Sequence, residues 1–161
     1  MRRTPALLLT VPPRTVRVGS SYSMKRTFSA ADVATFAALC GDQNPIHLDP
    51  AAAKKAGFVG CIVHGQLVVS LFSYLMGMHM PGPQSIYVSQ SVQFVAPILV
   101  GEEVEASVTV EKFRKDKGLI MLETKVLRTR DNVIAIKGHS LGKNTAVICE
   151  GESPEWRYRT E

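Results

Sequence analysis

Two ionisable residues five positions apart, Asp42 and His47, are the part of this sequence best suited to chemistry. They stand in the segment Gly41-Asp42-Gln43-Asn44-Pro45-Ile46-His47. Pro45 removes a backbone donor and disfavours helical angles at Asn44, so this segment is predicted to be a loop without regular structure. A carboxylate and an imidazole on a shaped loop can converge on one small molecule and exchange protons with it.

Length and composition fit one globular domain. The chain has 161 residues, of which 45% are hydrophobic, and this is enough for an ordinary core. Its three cysteines form an odd count without CxxC spacing, so we expect neither a disulfide framework nor a zinc ribbon. No segment approaches the roughly 20 apolar residues of a membrane span. We therefore expect a soluble protein from a reducing compartment, with no membrane partner.

The net charge of +5 comes from the start of the chain. The first 27 residues hold six basic residues and no acid, which leaves 13 basic and 14 acidic residues in the remainder. Because the body is near neutral, binding to nucleic acid is not predicted. An arginine-rich, acid-free start is typical of a mitochondrial transit peptide. We expect a basic leader over residues 1–21 and a mitochondrial location, with a disordered tail and a cytoplasmic location as the alternatives.

Two helices are predicted to flank the segment 41–47. Ser29 offers an N-cap for a surface helix that runs to about Cys40 and leads directly into Gly41. After His47, Asp49-Pro50 supplies the N-cap and first position of a short helix that ends near Gly57. The two helices therefore fix both ends of the segment.

A longer helix is predicted from Gly65 to about Met78, after a loop that ends at His64. This stretch is apolar on nearly every face, which is typical of a helix buried all round. At 14 residues it is too short for a membrane span. We expect it to be the central helix of the domain.

The rest of the sequence has the period of β-strands. Apolar and polar residues alternate over residues 85–94 and 103–110, as in half-buried strands. Turn residues precede two further strands, 119–129 and 133–141. Four strands in hairpin order behind one apolar helix predict an α+β domain over residues 22–143, with an antiparallel sheet wrapped around the helix. Residues 144–161 are polar and are expected to form an extension.

Three motifs in this order resemble R-specific enoyl-thioester hydratases and 3-hydroxyacyl-thioester dehydratases of the MaoC-like, hotdog-fold family. They are Gly41 to Asp49, Ile62-Val63-His64-Gly65, and Ser85 to Val88 with Val92-Gln93-Phe94. The resemblance implies a single hotdog domain and a homodimer. It also implies reversible hydration of trans-2-enoyl thioesters to (3R)-3-hydroxyacyl thioesters, on CoA or acyl-carrier protein, with no cofactor. With the basic leader, it favours the dehydratase step of mitochondrial fatty-acid synthesis.

Hydration of an enoyl thioester requires a base, an acid and a donor for the charge that develops on the thioester oxygen. Asp42 and His47 can hold one water between them, and the resemblance supports them as the catalytic pair. It leaves open which of the two moves the proton in each direction. Gly65 opens a helix, where free N–H groups point outward, and the resemblance assigns its backbone N–H to the oxyanion.

Four further residues receive supporting roles. Asn44 is expected to shape the loop through its side chain, and His64 either orients the loop or touches the substrate. Ser73 and Met76 match positions that line the acyl pocket in the resembling family, and core packing is the alternative for both.

A metal site from Asp42, His47, Asp49 and His64 matches no defined spacing, so no metal is predicted.

Two other functions compete with hydration. A hotdog thioesterase would hydrolyse the thioester, and such enzymes need a differently placed carboxylate. A non-catalytic subunit that binds acyl thioesters would be expected to lack Asp42 or His47, and both residues are present.

Overall fold

A five-stranded antiparallel sheet packs against one central helix in the computed structural model, which describes residues 14–156. Most of the predicted leader, residues 1–13, lies outside the described residues. The elements in chain order are β1 (Thr15–Val16), β2 (Ser21–Thr27), α1 (Ala30–Cys40), α2 (Pro45–Leu48), α3 (Pro50–Lys55), α4 (Gly65–Met78), β3 (Ile86–Phe94), β4 (Glu103–Arg114), a 3-10 turn (Lys115–Lys117), β5 (Leu119–Arg128), β6 (Val133–Lys143) and β7 (Ile148–Cys149). None of the described helices is long and apolar enough to cross a membrane.

The strand order in the sheet is β2-β4-β5-β6-β3. The hairpin order is correct for β4, β5 and β6, which are joined by short turns. It is wrong for β3, which crosses the sheet and pairs antiparallel with β6, with Val92 opposite Gly138. Turn residues specify only the short connections, whereas the longer connection over residues 95–102 leaves β3 free to reach the far edge. The predicted α+β architecture, a sheet around one helix, is confirmed.

The helix α4 is buried along one face rather than all round. Its bounds are those predicted, and its buried residues follow the i, i+3, i+4, i+7, i+8 pattern of a surface helix: Val68, Leu71, Phe72, Leu75 and Met76. The opposite face is open and carries Gln66, Ser70, Ser73, Tyr74 and Met78. The prediction of full burial was wrong because it gave the few polar residues too little weight, and these mark the open face.

Strand β3 is also more exposed than predicted. Its alternation indicates a half-buried strand, yet Ile86, Val88 and Phe94 are all exposed. Within the described part of the chain, β3 has a neighbouring strand on one side only. An apolar edge strand of this kind presents unpaired backbone groups to any further strand.

Both described ends of the chain pack against the domain. Val16 is buried in the core, and β1 pairs in parallel with β7. Asn144 is buried as well, and the Trp156 ring lies 5.4 Å from Lys112 Nζ. Residues 15 and 16 thus lie against the domain, although they fall within the predicted leader, residues 1–21.

The close pairing of β3 with β6 depends on Gly138. A Cβ atom at this position would overlap the backbone carbonyl oxygen of Ser91. We expect Gly138→Ala to lower the free energy of unfolding by about 3 kcal/mol, the upper range for overpacking, because a paired backbone cannot move aside. Urea denaturation measures this. Gly77→Ala is the control, since its Cβ would meet nothing within 4 Å, and equal stability of the two variants would contradict the predicted overlap.

Candidate active site

Asp42 is held at the end of α1 by its local backbone. The helix ends at Gly41, which has a φ of 83° and donates its N–H to the Ala37 carbonyl oxygen at 2.9 Å. Asp42 Oδ1 then accepts the backbone N–H of Asn44 at 3.1 Å. The other oxygen, Oδ2, faces the two histidines, and the side chain remains 55% exposed. Asp42 is therefore oriented while keeping one oxygen open.

The segment 41–47 leads into one helical turn, α2 (Pro45–Leu48), at residues for which the sequence predicts a loop. Asn44 is its N-cap, and Asn44 Oδ1 accepts the Ile46 N–H at 3.4 Å. Pro45 occupies the first helical position, where a missing N–H costs nothing and the fixed φ is favourable. The prediction of a loop was wrong here because proline excludes helix only at later positions. The Asn44 side chain thus binds the local backbone, as its predicted role in shaping the loop requires.

His47 is fixed through one ring nitrogen and offers the other to the site. Its Nδ1 lies 2.7 Å from the carbonyl oxygen of Ile62. Because a carbonyl can only accept, Nδ1 carries the proton, and Nε2 of the neutral ring keeps a free lone pair. Nε2 lies 3.9 Å from Asp42 Oδ2, and the side chain is only 9% exposed. The two groups therefore face each other across a gap that one water can bridge.

His64 contacts both residues of this pair. It is buried, and its Nε2 donates to the backbone carbonyl of Asp42 at 2.9 Å. Its ring stacks on that of His47 with centroids 3.8 Å apart, and Phe36 packs against it edge-on at 5.2 Å. Of the two roles left open for His64, these contacts fit orientation of the loop.

Asp42, His47 and His64 are close enough to raise the question of a metal. One ligand atom from each lies within 4.8 Å of the others. However, His64 Nε2 carries the proton that it donates to Asp42, so its lone pair is not available to an ion there. Asp49 instead caps α3 by accepting the Ala51 N–H at 2.8 Å. The hydrogen bonds thus fit a water between Asp42 and His47 better than a metal ion.

Gly65 and His47 share a cavity of about 150 Å³. Gly65 is the first residue of α4, so its N–H has no partner within the helix and can serve a ligand. A Cβ at Gly65 would lie only 2.5 Å from Cε1 of Phe94, so the Phe94 ring occupies the space that a side chain would need. The remaining walls are almost entirely apolar: Ile62, Val63, Val68, Ala96, Pro97, Ile98 and Ile136.

The two predicted acyl-pocket residues are not among those that line this cavity. Ser73 is exposed on the open face of α4, and Met76 is buried in the core near Gly142. Phe94 and Ile136 line the cavity instead, although sequence reasoning gave them no such role. The motif Val92-Gln93-Phe94 was the one available signal, because it placed Phe94 within a matching stretch.

Comparison with known proteins identifies the family. The MaoC like domain matches residues 12–132, and the chain belongs to this family of dehydratases. The chain is similar to the (R)-specific enoyl-CoA hydratase of Aeromonas caviae, with 44% identity over 130 residues that cover 81% of this chain and 96% of that protein. It is also similar to the mitochondrial 3-hydroxyacyl-[acyl-carrier-protein] dehydratase of Solanum lycopersicum, with 37% identity over 137 residues, 84% of this chain and 81% of that protein.

Solved structures give the same result for the fold. The (R)-hydratase of A. caviae superposes with a TM-score of 0.77 and covers 80% of this chain and 96% of its own, at 44% identity. The unliganded R-hydratase of Pseudomonas aeruginosa superposes with a TM-score of 0.74 and covers 91% of each chain, at 28% identity. The predicted membership of the MaoC-like, hotdog-fold family is confirmed.

The two site histidines are expected to hold opposite neutral tautomers. The carbonyl partners place the proton on Nδ1 of His47 and on Nε2 of His64. Nitrogen-15 NMR of the ring nitrogens measures this directly, and His47→Gln and His64→Gln assign the signals among the four histidines. The same tautomer at both residues would contradict the hydrogen bonds described above.

Proposed function

We propose that this protein is a hydro-lyase that interconverts trans-2-enoyl thioesters and (3R)-3-hydroxyacyl thioesters. The observation that carries the proposal is the 3.9 Å gap between Asp42 Oδ2 and His47 Nε2, beside a cavity shared by His47 and the start of α4. A carboxylate, an imidazole with a free lone pair and a free backbone donor are the three groups that the reaction requires. The names of the two similar proteins, a hydratase and a dehydratase, support the same reaction.

In the hydration direction, a water between Asp42 and His47 gives up a proton to one of them as its oxygen bonds to C3. The electron pair of the C2=C3 bond moves toward C1, and negative charge develops on the thioester oxygen. The Gly65 N–H stabilises this charge, and apolar walls strengthen the interaction by excluding water. A proton then passes to C2 from the catalytic pair, and dehydration follows the same steps in reverse. Asp42 and His47 share the two proton transfers.

One assay separates this function from its two competitors. Purified protein is incubated with crotonyl-CoA while absorbance of the conjugated enoyl thioester and release of free thiol are followed together. Loss of absorbance without thiol supports hydration. Release of thiol would support a thioesterase instead. No change in either signal would contradict an enzymatic function on short acyl chains.

Asp42→Asn tests the catalytic carboxylate. We expect hydration to fall by about 10²- to 10⁴-fold, because the amide can neither take nor deliver the proton. The fold is expected to persist, since the side chain is half exposed and an amide oxygen can still accept the Asn44 N–H. The rate of crotonyl-CoA hydration is the measurement. Asp49→Asn is the matched control, because an amide also caps α3, and unchanged activity in Asp42→Asn would refute the role of this residue.

We propose a mitochondrial setting and acyl-carrier-protein substrates. The basic, acid-free start supports this, as do the names of similar mitochondrial dehydratases from Solanum lycopersicum and Arabidopsis thaliana. Any leader would be removed before Arg14, since Arg14 Nη1 donates to the His79 carbonyl at 2.7 Å and Val16 is part of the core. Comparison of kcat/KM on crotonyl-CoA and on a crotonyl acyl-carrier protein tests the carrier preference.

We propose that two copies of the chain pair through β3 to form a homodimer. The exposed apolar side chains and the open backbone edge of β3 support this arrangement. Phe94 belongs both to this strand and to the cavity wall, so a partner at the edge would help to enclose the acyl chain.

Val88→Lys tests the dimer. A charge on the exposed middle of β3 should oppose strand pairing, and we expect the mass in solution to shift from dimer toward monomer. Light scattering after size exclusion provides the mass. Leu39→Lys, at an exposed position of α1, is the control and should leave the mass unchanged. A monomeric wild type, or a fully dimeric Val88→Lys variant, would contradict the proposed interface.

A further inference from the structure

A short backbone ladder holds the catalytic histidine in place. Val63 donates its N–H to the Ile98 carbonyl at 2.8 Å, and Val100 donates to the Cys61 carbonyl at 2.9 Å. Between these bonds, Ile62 and Leu99 form an antiparallel bridge. The Ile62 carbonyl is also the partner of His47 Nδ1, so the position of the imidazole depends on residues 98–100.

Two charged side chains bind the backbone of the ladder segment that lies opposite Ile62. Glu102 Oε2 accepts the Leu99 N–H at 2.9 Å, and the Glu102 side chain is only 6% exposed. Arg128 Nη1 donates to the Pro97 carbonyl at 3.1 Å, and its side chain is 13% exposed. Neither residue lines the cavity, whereas Pro97 and Ile98 do. Glu102 and Arg128 therefore act on the backbone that carries the site and do not contact the site itself.

The charges of these two residues are compensated within the same cluster. Arg128 binds Asp131 through two bonds, from Nε at 3.2 Å and from Nη2 at 2.8 Å. Glu102 Oε1 forms ion pairs with Arg130 Nε at 2.7 Å and with Arg128 Nε at 3.9 Å. A nearly buried charge is costly unless it is paired and hydrogen-bonded. Glu102 and Arg128 each have an oppositely charged partner and a hydrogen bond to the backbone. The backbone groups that they bind belong to residues 99 and 97.

We propose that Glu102 and Arg128 are positioning residues for His47. They fix residues 97–99, these residues fix Ile62 through the ladder, and the Ile62 carbonyl fixes the imidazole. The proposal rests on the proposed function, because it takes His47 as one of the two proton-transfer groups. It predicts that loss of either side chain affects the chemical step although neither residue touches the substrate.

Glu102→Leu is the main test, with kcat and KM measured for hydration of crotonyl-CoA. We expect kcat to fall by about 10- to 100-fold, the range for a small displacement of a catalytic group, while KM stays within about twofold. Glu102→Gln keeps an acceptor for the Leu99 N–H and should stay within about threefold of wild type. Arg128→Met removes the donor to Pro97 and should reproduce the fall in kcat, which provides a second variant if Glu102→Leu does not fold.

A structural control and a second readout distinguish positioning from loss of stability. Val126→Ala removes a fully buried side chain on the strand that carries Arg128, so it should lower the melting temperature and leave kcat unchanged. The nitrogen-15 signal of His47 Nδ1 should shift or broaden in Glu102→Leu and stay in place in Val126→Ala.

Any of four results would overturn the proposal: an unchanged kcat in both Glu102→Leu and Arg128→Met, a change in KM alone, an equal loss of kcat in Val126→Ala, or an unchanged His47 signal in Glu102→Leu. Failure of the proposed function is distinguishable, since the wild type would then show no hydration. The NMR comparison would still test the proposal, because an unchanged His47 signal in Glu102→Leu would show that Glu102 does not position this ring, whatever reaction the protein catalyses.

Discussion

His47 Nδ1 and the backbone carbonyl of Ile62 are joined by a 2.7 Å hydrogen bond, and the geometry of the site depends on it. The bond fixes the tautomer of the ring, so that Nε2 points toward Asp42 with a free lone pair. The other ring of the stack, His64, holds the backbone of Asp42. Asp42, His47 and His64 therefore constrain one another, and a shift of Ile62 would displace the imidazole on which the pair depends.

The site is built partly from the hydrophobic core. Val68, Ile98 and Ile136 belong to the main cluster of buried residues and also form walls of the cavity beside His47. The helix α4 contributes its first N–H to the same cavity and its buried face to the core. Because apolar walls strengthen hydrogen bonds and charge interactions, packing and electrostatics act together there. Substitutions in these walls are thus expected to change stability and reactivity at the same time.

Features set by neighbouring residues could be predicted from the sequence. The bounds of α4, the Asp49 cap of α3 and the meeting of Asp42 with His47 all depend on spacings of a few residues. Features set by long-range pairing could not. Phe94 reaches the cavity because β3 pairs with β6, and Val16 is buried where β1 pairs with β7. Ser73 was assigned to the pocket by resemblance, and in this chain it lies on the open face of α4.

The proposed reaction requires one water between Asp42 and His47, in position to add to the double bond. A crystal structure at a resolution that separates water from metal, with anomalous scattering recorded, tests it most directly. We expect an ordered water within about 2.6 to 3.2 Å of both Asp42 Oδ2 and His47 Nε2. A metal ion at this position, or a side chain that fills the gap between the two groups, would show that no water is held there for the reaction.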